Sequence, residues 1–304
     1  MSDDSSRRRF LAVVGSTTIA ALAGCSGADG DGDGGGGTGT ESESMDTEMT
    51  ETDAMTEPEP MDDGMTDTDT MDEELASVTV TVRVENVAPT DFYGAETPTG
   101  GAIWLTPGAF AIHTDENPLF TEGEAASTGL EALAEAGTPT GFENEPGLLG
   151  ELQQQAGRMG VVAAGAYTPD DTVADPADPM GEVPGAPPIA PGGALEFDIE
   201  AAPGQRLSFA SMFVPSNDVF VAPALGVELW PDGDVTERVD LWDAGTEPNT
   251  PPGEGPDQAP AQDTPTQGAD ENGVVRRLAD VDDSYEYPAA SDVVRVTLTP
   301  DGGV

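Results

Sequence analysis

The chain has 304 residues and sets 59 Asp and Glu against 10 basic residues, all of them Arg, for a formal charge of -49. A surface of that sign repels nucleic acid and anionic headgroups, which excludes nucleic acid as a partner. One cysteine in the whole chain excludes a disulfide framework and a Cys-rich zinc site.

Residues 1–25 read as an export and anchoring signal. Ser6-Arg7-Arg8-Arg9-Phe10-Leu11 resembles a twin-arginine export signal, with Arg7 and Arg8 as its pair. The apolar run that follows, Phe10 to Gly24, is shorter than the ~20 residues a spanning helix needs. It closes on Leu22-Ala23-Gly24-Cys25, which resembles a lipobox, so Cys25 is the expected lipidation site. The membrane is then a partner through a lipid anchor, and the protein is expected at the cell surface, on the extracellular side of the cytoplasmic membrane.

Residues 26–76 are mostly Gly, Asp, Glu, Thr and Met, with no base and no aromatic ring. Such a stretch buries too little apolar area to offset the entropy of ordering, and a solvated, disordered acidic tether is expected. Asp29, Asp31, Asp33 and Gly34 match the opening of a calcium-loop pattern. The twelfth position is Thr40 rather than Glu, and no apolar periodic run flanks it, so it reads as spacer. The thioethers of Met45, Met49, Met55, Met61, Met65 and Met71 could hold Cu(I). Their repetitive setting reads first as composition.

Residues 77–304 carry the folded domain. Strict alternation in Ser77–Glu85 puts Val78, Val80, Val82 and Val84 on one face of a half-buried strand. Further strands are expected at 194–200, 206–214, 226–230, 236–242 and 293–299. Asp232-Gly233 signals a hairpin between the third and fourth of these. Two short helices are expected within 125–137 and 147–157, where Ala, Leu, Glu and Gln are dense. The Pro/Gly stretches 167–193 and 247–268 read as loops. This pattern predicts a mainly β, antiparallel sandwich with short helical insertions. His113, the one histidine, reads as a solvated loop residue without a catalytic partner. No nucleophile elbow or phosphate loop is present; Trp104, Trp230 and Trp242 could form a sugar platform, but Trp230 and Trp242 end alternating strands and read as core first.

Two short stretches carry more. Pro215-Ser216-Asn217-Asp218 follows the strand "SFASMFV", and Trp242-Asp243-Ala244-Gly245-Thr246-Glu247 follows an apolar strand further on. In that order, they resemble the spondin N-terminal domain, the module that opens F-spondin and mindin and also occurs alone in microbial proteins. The resemblance extends over roughly Val78 to Thr299. It implies a C2-type sandwich with Ca2+ held by loop carboxylates, the matched ligands being Asp218, Asp243 and Glu247. A further ligand is implied on the preceding strand, at Glu200 or Glu196. The residues agree with hard-cation chemistry, because calcium takes 6 to 8 oxygen ligands and Gly245 lets the backbone turn Glu247 back toward Asp243. Glu247 stands where the family has Asp, and Val219 where animal members have Trp. Disulfides and thrombospondin repeats are missing, so the recognition functions of animal relatives do not transfer. The acidic surface resembles that of proteins from salt-loving archaea, where molar salt screens charge within about 3 Å.

The expected function is therefore an exported, lipid-anchored, calcium-binding surface module for adhesion or ligand binding, its ligand a surface glycan or protein. No enzyme activity is expected. The alternatives are a solute- or metal-capturing surface lipoprotein and a carbohydrate-active enzyme, since a glycosidase is defined by carboxylate separation in space.

Overall fold

A computed structural model describes residues 77–158, 160–174, 188–229 and 233–301. The export signal, Cys25, the tether and Trp230 lie outside the described residues. In chain order the elements are β1 (Val78–Asn86), β2 (Trp104–His113), α1 (Thr128–Ala136), α2 (Leu148–Gln155), β3 (Val161–Tyr167), β4 (Thr172–Ala174), β5 (Ala194–Ala201) and β6 (Arg206–Val214). They continue with β7 (Val219–Pro223), β8 (Val227–Glu228), β9 (Gly233–Asp234), β10 (Val239–Asp243), β11 (Arg276–Arg277) and β12 (Val294–Pro300).

The strands form two antiparallel sheets. One runs β4-β5-β1-β12-β9 and the other β11-β10-β7-β6-β2-β3, with β8 beside β6. In the first sheet the period-two pattern of β1 buries Val80, Val82 and Val84. They meet Leu195, Phe197 and Ile199 of β5 and Val294, Val296 and Leu298 of β12 in the inter-sheet core, which Leu207, Phe209 and Phe213 of β6 close from the other side. Alternation survives in this sheet because its outer face is wet.

The second sheet does not alternate, and its outer face explains why. β7 is buried at every position and β6 at every position after Arg206. Helices α1 and α2 lie over this face, where Leu130, Leu133, Leu148 and Leu152 pack with Ala210, Phe220 and Trp242. The helices form where sequence propensity places them. The Ser127 hydroxyl accepts the Leu130 N–H at 3.1 Å as N-cap, and Gly137 ends α1 in the left-handed region.

Sequence patterning missed β2, the strand that joins both cores, because Pro107 and Gly108 interrupt it. The structure repairs both. At the register shift between Leu105 and Gly108, the Thr106 hydroxyl accepts the Met212 N–H at 3.0 Å. Gly108 leaves room for Tyr167, whose hydroxyl donates to Ala210 O at 2.8 Å and lies 2.6 Å from Ser211 Oγ; a Cβ here would strike Ala210 O and the Tyr167 ring.

Three expectations are corrected. The stretches 226–230 and 236–242 do not form a hairpin: β8 pairs with β6, β10 pairs with β7 and β11, and Gly233–Asp234 crosses to the first sheet against β12. Residues Thr236–Arg238 form a 3-10 turn, so the strand begins at Val239. His113 is not a solvated loop residue. It ends β2 fully buried, with Nε2 2.9 Å from Ser208 Oγ and Nδ1 3.1 Å from Asp115 O, and burial holds its pKa below the ordinary value. No helix among the described residues is long and apolar enough to cross a membrane.

Candidate metal centre

The centre forms where β6, β7, β10 and β11 end together. Beyond Val214 the chain turns through Pro215–Asp218. The Ser216 hydroxyl donates to Phe213 O at 2.6 Å and accepts the Val219 N–H at 3.1 Å, which fixes the corner. The register Asp243↔Val219 then brings Asp243 to the same end of the sheet as Asp218, and the register Asp243↔Arg276 brings an arginine beside it. Gly245, at φ 70°, turns the chain in the left-handed region, and a Cβ there would lie 2.6 Å from Val274 N. That turn aims three donors at one oxygen. The Thr246 N–H (2.8 Å), the Thr246 hydroxyl (3.2 Å) and the Glu247 N–H (3.2 Å) all donate to Asp218 Oδ2.

The other oxygen of Asp218, Oδ1, is buried and has no hydrogen-bond partner. Asp243 is bound on both oxygens: Arg276 Nε donates to Oδ1 at 3.2 Å, and Arg276 Nη2 (3.5 Å) and Asn249 Nδ2 (2.5 Å) donate to Oδ2. Glu271 Oε1 accepts from the same Arg276 Nη2 at 3.1 Å. Glu247 reaches Asp218 through its backbone N–H, while its carboxylate accepts from Asn217 Nδ2 at 3.2 Å and Gly268 N at 2.9 Å.

A fourth acid, Glu135 of α1, is buried nearby and feels the charges of Glu247 and Asp218. Relative exposure is 0% for Asp218 and Asp243 and 3% for Glu247 and Glu135. Burial raises all four carboxyl pKa values. Asp218 is pushed up to about 7, with the Asp243 charge adding to burial, and Glu135 to about 8. Asp243 is raised by burial against the pull of Arg276, and Glu247 by burial against its Asn217 bond. Among the described residues these buried carboxylates outnumber the guanidinium of Arg276 that touches them, so the cluster is neutralised by protons or by a cation.

The structure thus unites Asp218, Asp243 and Glu247 but not Glu200. Alternation along β5 turns Leu195, Phe197 and Ile199 inward and leaves Glu196, Asp198 and Glu200 on the outer face of the other sheet. There Glu200 Oε1 accepts the Thr79 hydroxyl at 2.5 Å, and Glu196 pairs with Arg83 at 3.4 Å. Among the described residues no group of three Asp, Glu, His or Cys side chains is arranged to hold a metal ion. Of the motif carboxylates, Asp218 alone keeps a buried oxygen without a hydrogen-bond partner, and the 6 to 8 oxygen ligands that calcium takes would have to come from beyond it. The orphaned Asp218 Oδ1 suits such an ion, whereas the carboxylates of Glu247 and Asp243 are both already engaged.

Two residues escaped the sequence reading. Glu135 gave no signal, since one acid on an amphipathic helix is ordinary until a loop packs over it. Arg276 could have been found: adjacent arginines are conspicuous in a chain with so few bases. Beside Arg276 opens a groove of about 550 Å³, lined by Asn249, Glu271, Asp280, Asp282 and Asp283 among others. In comparison with known proteins, the chain matches no family model and no curated sequence.

Proposed function

We propose that the chain is an exported, lipid-anchored surface protein whose spondin-like sandwich holds Ca2+ between Asp218 and Asp243 and serves adhesion or ligand binding. The observation that carries the metal reading is the buried, unpartnered Asp218 Oδ1 beside a second buried carboxylate. An oxygen left so costs on the order of 1–3 kcal/mol unless something meets it. Calcium, when bound, supplies two positive charges and coordination sites for oxygen. The protein's part is to hold Asp218 still: three donors clamp Oδ2 and leave Oδ1 toward the ion. The family and the anchor rest on the motifs Pro215–Asp218 and Trp242–Glu247 and on Arg7, Arg8 and Cys25.

The test is thermal unfolding of the full chain at fixed ionic strength, with calcium or with chelator. Calcium at one hundred times its dissociation constant should stabilise by about 2.7 kcal/mol. Asp218→Asn should abolish that difference, and a wild type that melts identically in both conditions would refute the reading. Anchoring is tested by Cys25→Ser. The variant should be exported and recovered free in the medium, since lipid chains contribute about 0.8 kcal/mol per buried methylene and no other membrane anchor is invoked. Retention of the variant in the membrane fraction would count against lipidation.

A further inference from the structure

Asp243 has no oxygen to spare. Arg276 spans both of its carboxylate oxygens, at 3.2 and 3.5 Å, and Asn249 donates to one of them. An ion seated between Asp218 and Asp243 must therefore take at least one oxygen from the guanidinium. Arg276 has somewhere to go. Its side chain is 35% exposed, its Nη2 already touches Glu271 at 3.1 Å, and the acidic groove beyond it carries Asp280, Asp282 and Asp283. The neighbouring Arg277 is not a substitute, because it lies over the Trp242 ring and pairs with Asp240.

We infer that Arg276 is a resident stand-in for the cation: it neutralises Asp243 in the ion-free state and is displaced onto Glu271 and the groove acids when a divalent ion binds. This inference rests on the calcium reading above. It gives Arg276 the role of a specificity-determining residue. Displacing a two-pronged guanidinium from a fully buried carboxylate is costly, and a monovalent ion brings only the one charge that Arg276 already supplies. A divalent ion brings one more, which also meets Asp218. The exchange thus keeps Na+ out of the centre in concentrated salt and lowers calcium affinity by the fraction of molecules in which Asp243 is free.

Calcium titration of the full chain in about 1 M NaCl, where surface charge is screened, tests the exchange. Asp218→Asn supplies the background from acids elsewhere in the chain, and terbium emission sensitised by Trp242, next to Asp243, gives a second readout local to the centre. Arg276→Gln should bind calcium about tenfold more tightly than wild type, the competitor having gone. Arg276→Lys keeps the charge but loses the planar fork, and several-fold tighter binding is expected. Glu271→Gln removes the receiving acid and should weaken binding. If wild type binds calcium but Arg276→Gln binds equally or less tightly, or Arg276→Lys equals wild type, the exchange is overturned and the calcium centre stands. If neither wild type nor Arg276→Gln exceeds the Asp218→Asn background, the calcium centre falls and the exchange with it.

Discussion

Replacing Trp242 by Ala should destabilise the protein by about 3–5 kcal/mol, the range for deleting a large buried aromatic. Trp242 is fully buried on the outer face of the second sheet, its ring tilted against Phe120 at 4.8 Å between centroids, with the Arg277 guanidinium 4.9 Å from its centre. Its indole N–H donates to Ala222 O at 3.0 Å, so the substitution removes a buried hydrogen bond as well as opening a void. The loss falls on the layer between sheet and helices, and α1 carries Glu135 to the centre. Urea unfolding should therefore show a lower midpoint, and calcium binding should weaken in parallel. A Trp242→Ala protein within 1 kcal/mol (about a factor of five in the folded ratio) of wild type would mean that the helices do not depend on this ring.

The second large effect is a pH dependence located at Glu135. Its carboxyl is pushed up to about 8, chiefly by burial, with Glu247, Glu131 and Asp218 adding repulsion. In the unfolded chain a glutamate titrates near 4.3. Between these values the folded state holds a proton that the unfolded state has released. The stabilisation is therefore complete below about pH 4 and is lost as pH rises toward 8, after which it levels off. Asp218, pushed up to about 7, acts with the same sign. Glu135→Gln cannot ionise. In chelator it should match wild type near pH 4.5 and exceed it by on the order of a few kcal/mol at pH 9, as linkage requires. Repulsion among the many surface acids acts on both proteins and cancels in the comparison. Parallel stability curves for the two would show that Glu135 is charged or solvated in the fold.

How far the sequence carried this structure depended on how many faces of an element meet water. β1, β5 and β12 have one wet face, so their period-two pattern is legible and their bounds follow from it. β2 and β7 are covered on both faces and lack alternation, whereas β6, just as covered, keeps enough alternation of large and small residues to be legible. The hairpin signal at Asp232-Gly233 failed for a different reason: β8 and β9, on either side of it, belong to different sheets, so the flanking segments do not pair with each other. At the centre, Asp218, Asp243 and Glu247 could be named because they are adjacent in motif to the strand ends that position them. Glu200 could not be judged, since a strand's pattern tells which residues share a face without telling which sheet they join. Glu135 and Arg276 come from distant segments and meet the cluster only through packing and register.

β1 has a mechanical consequence. It is the middle strand of its sheet, held from Val78↔Ala201 to Glu85↔Ala194 on one side and from Val80↔Pro300 to Asn86↔Val294 on the other. A load arriving through the residues before Val78 pulls this strand along its own axis, between two neighbours. The backbone hydrogen bonds of both ladders then resist together in shear, where an edge strand would surrender them one at a time like a zip. A domain held by its N-terminal side against flow or a pulling partner is thus gripped by the element best placed to bear force.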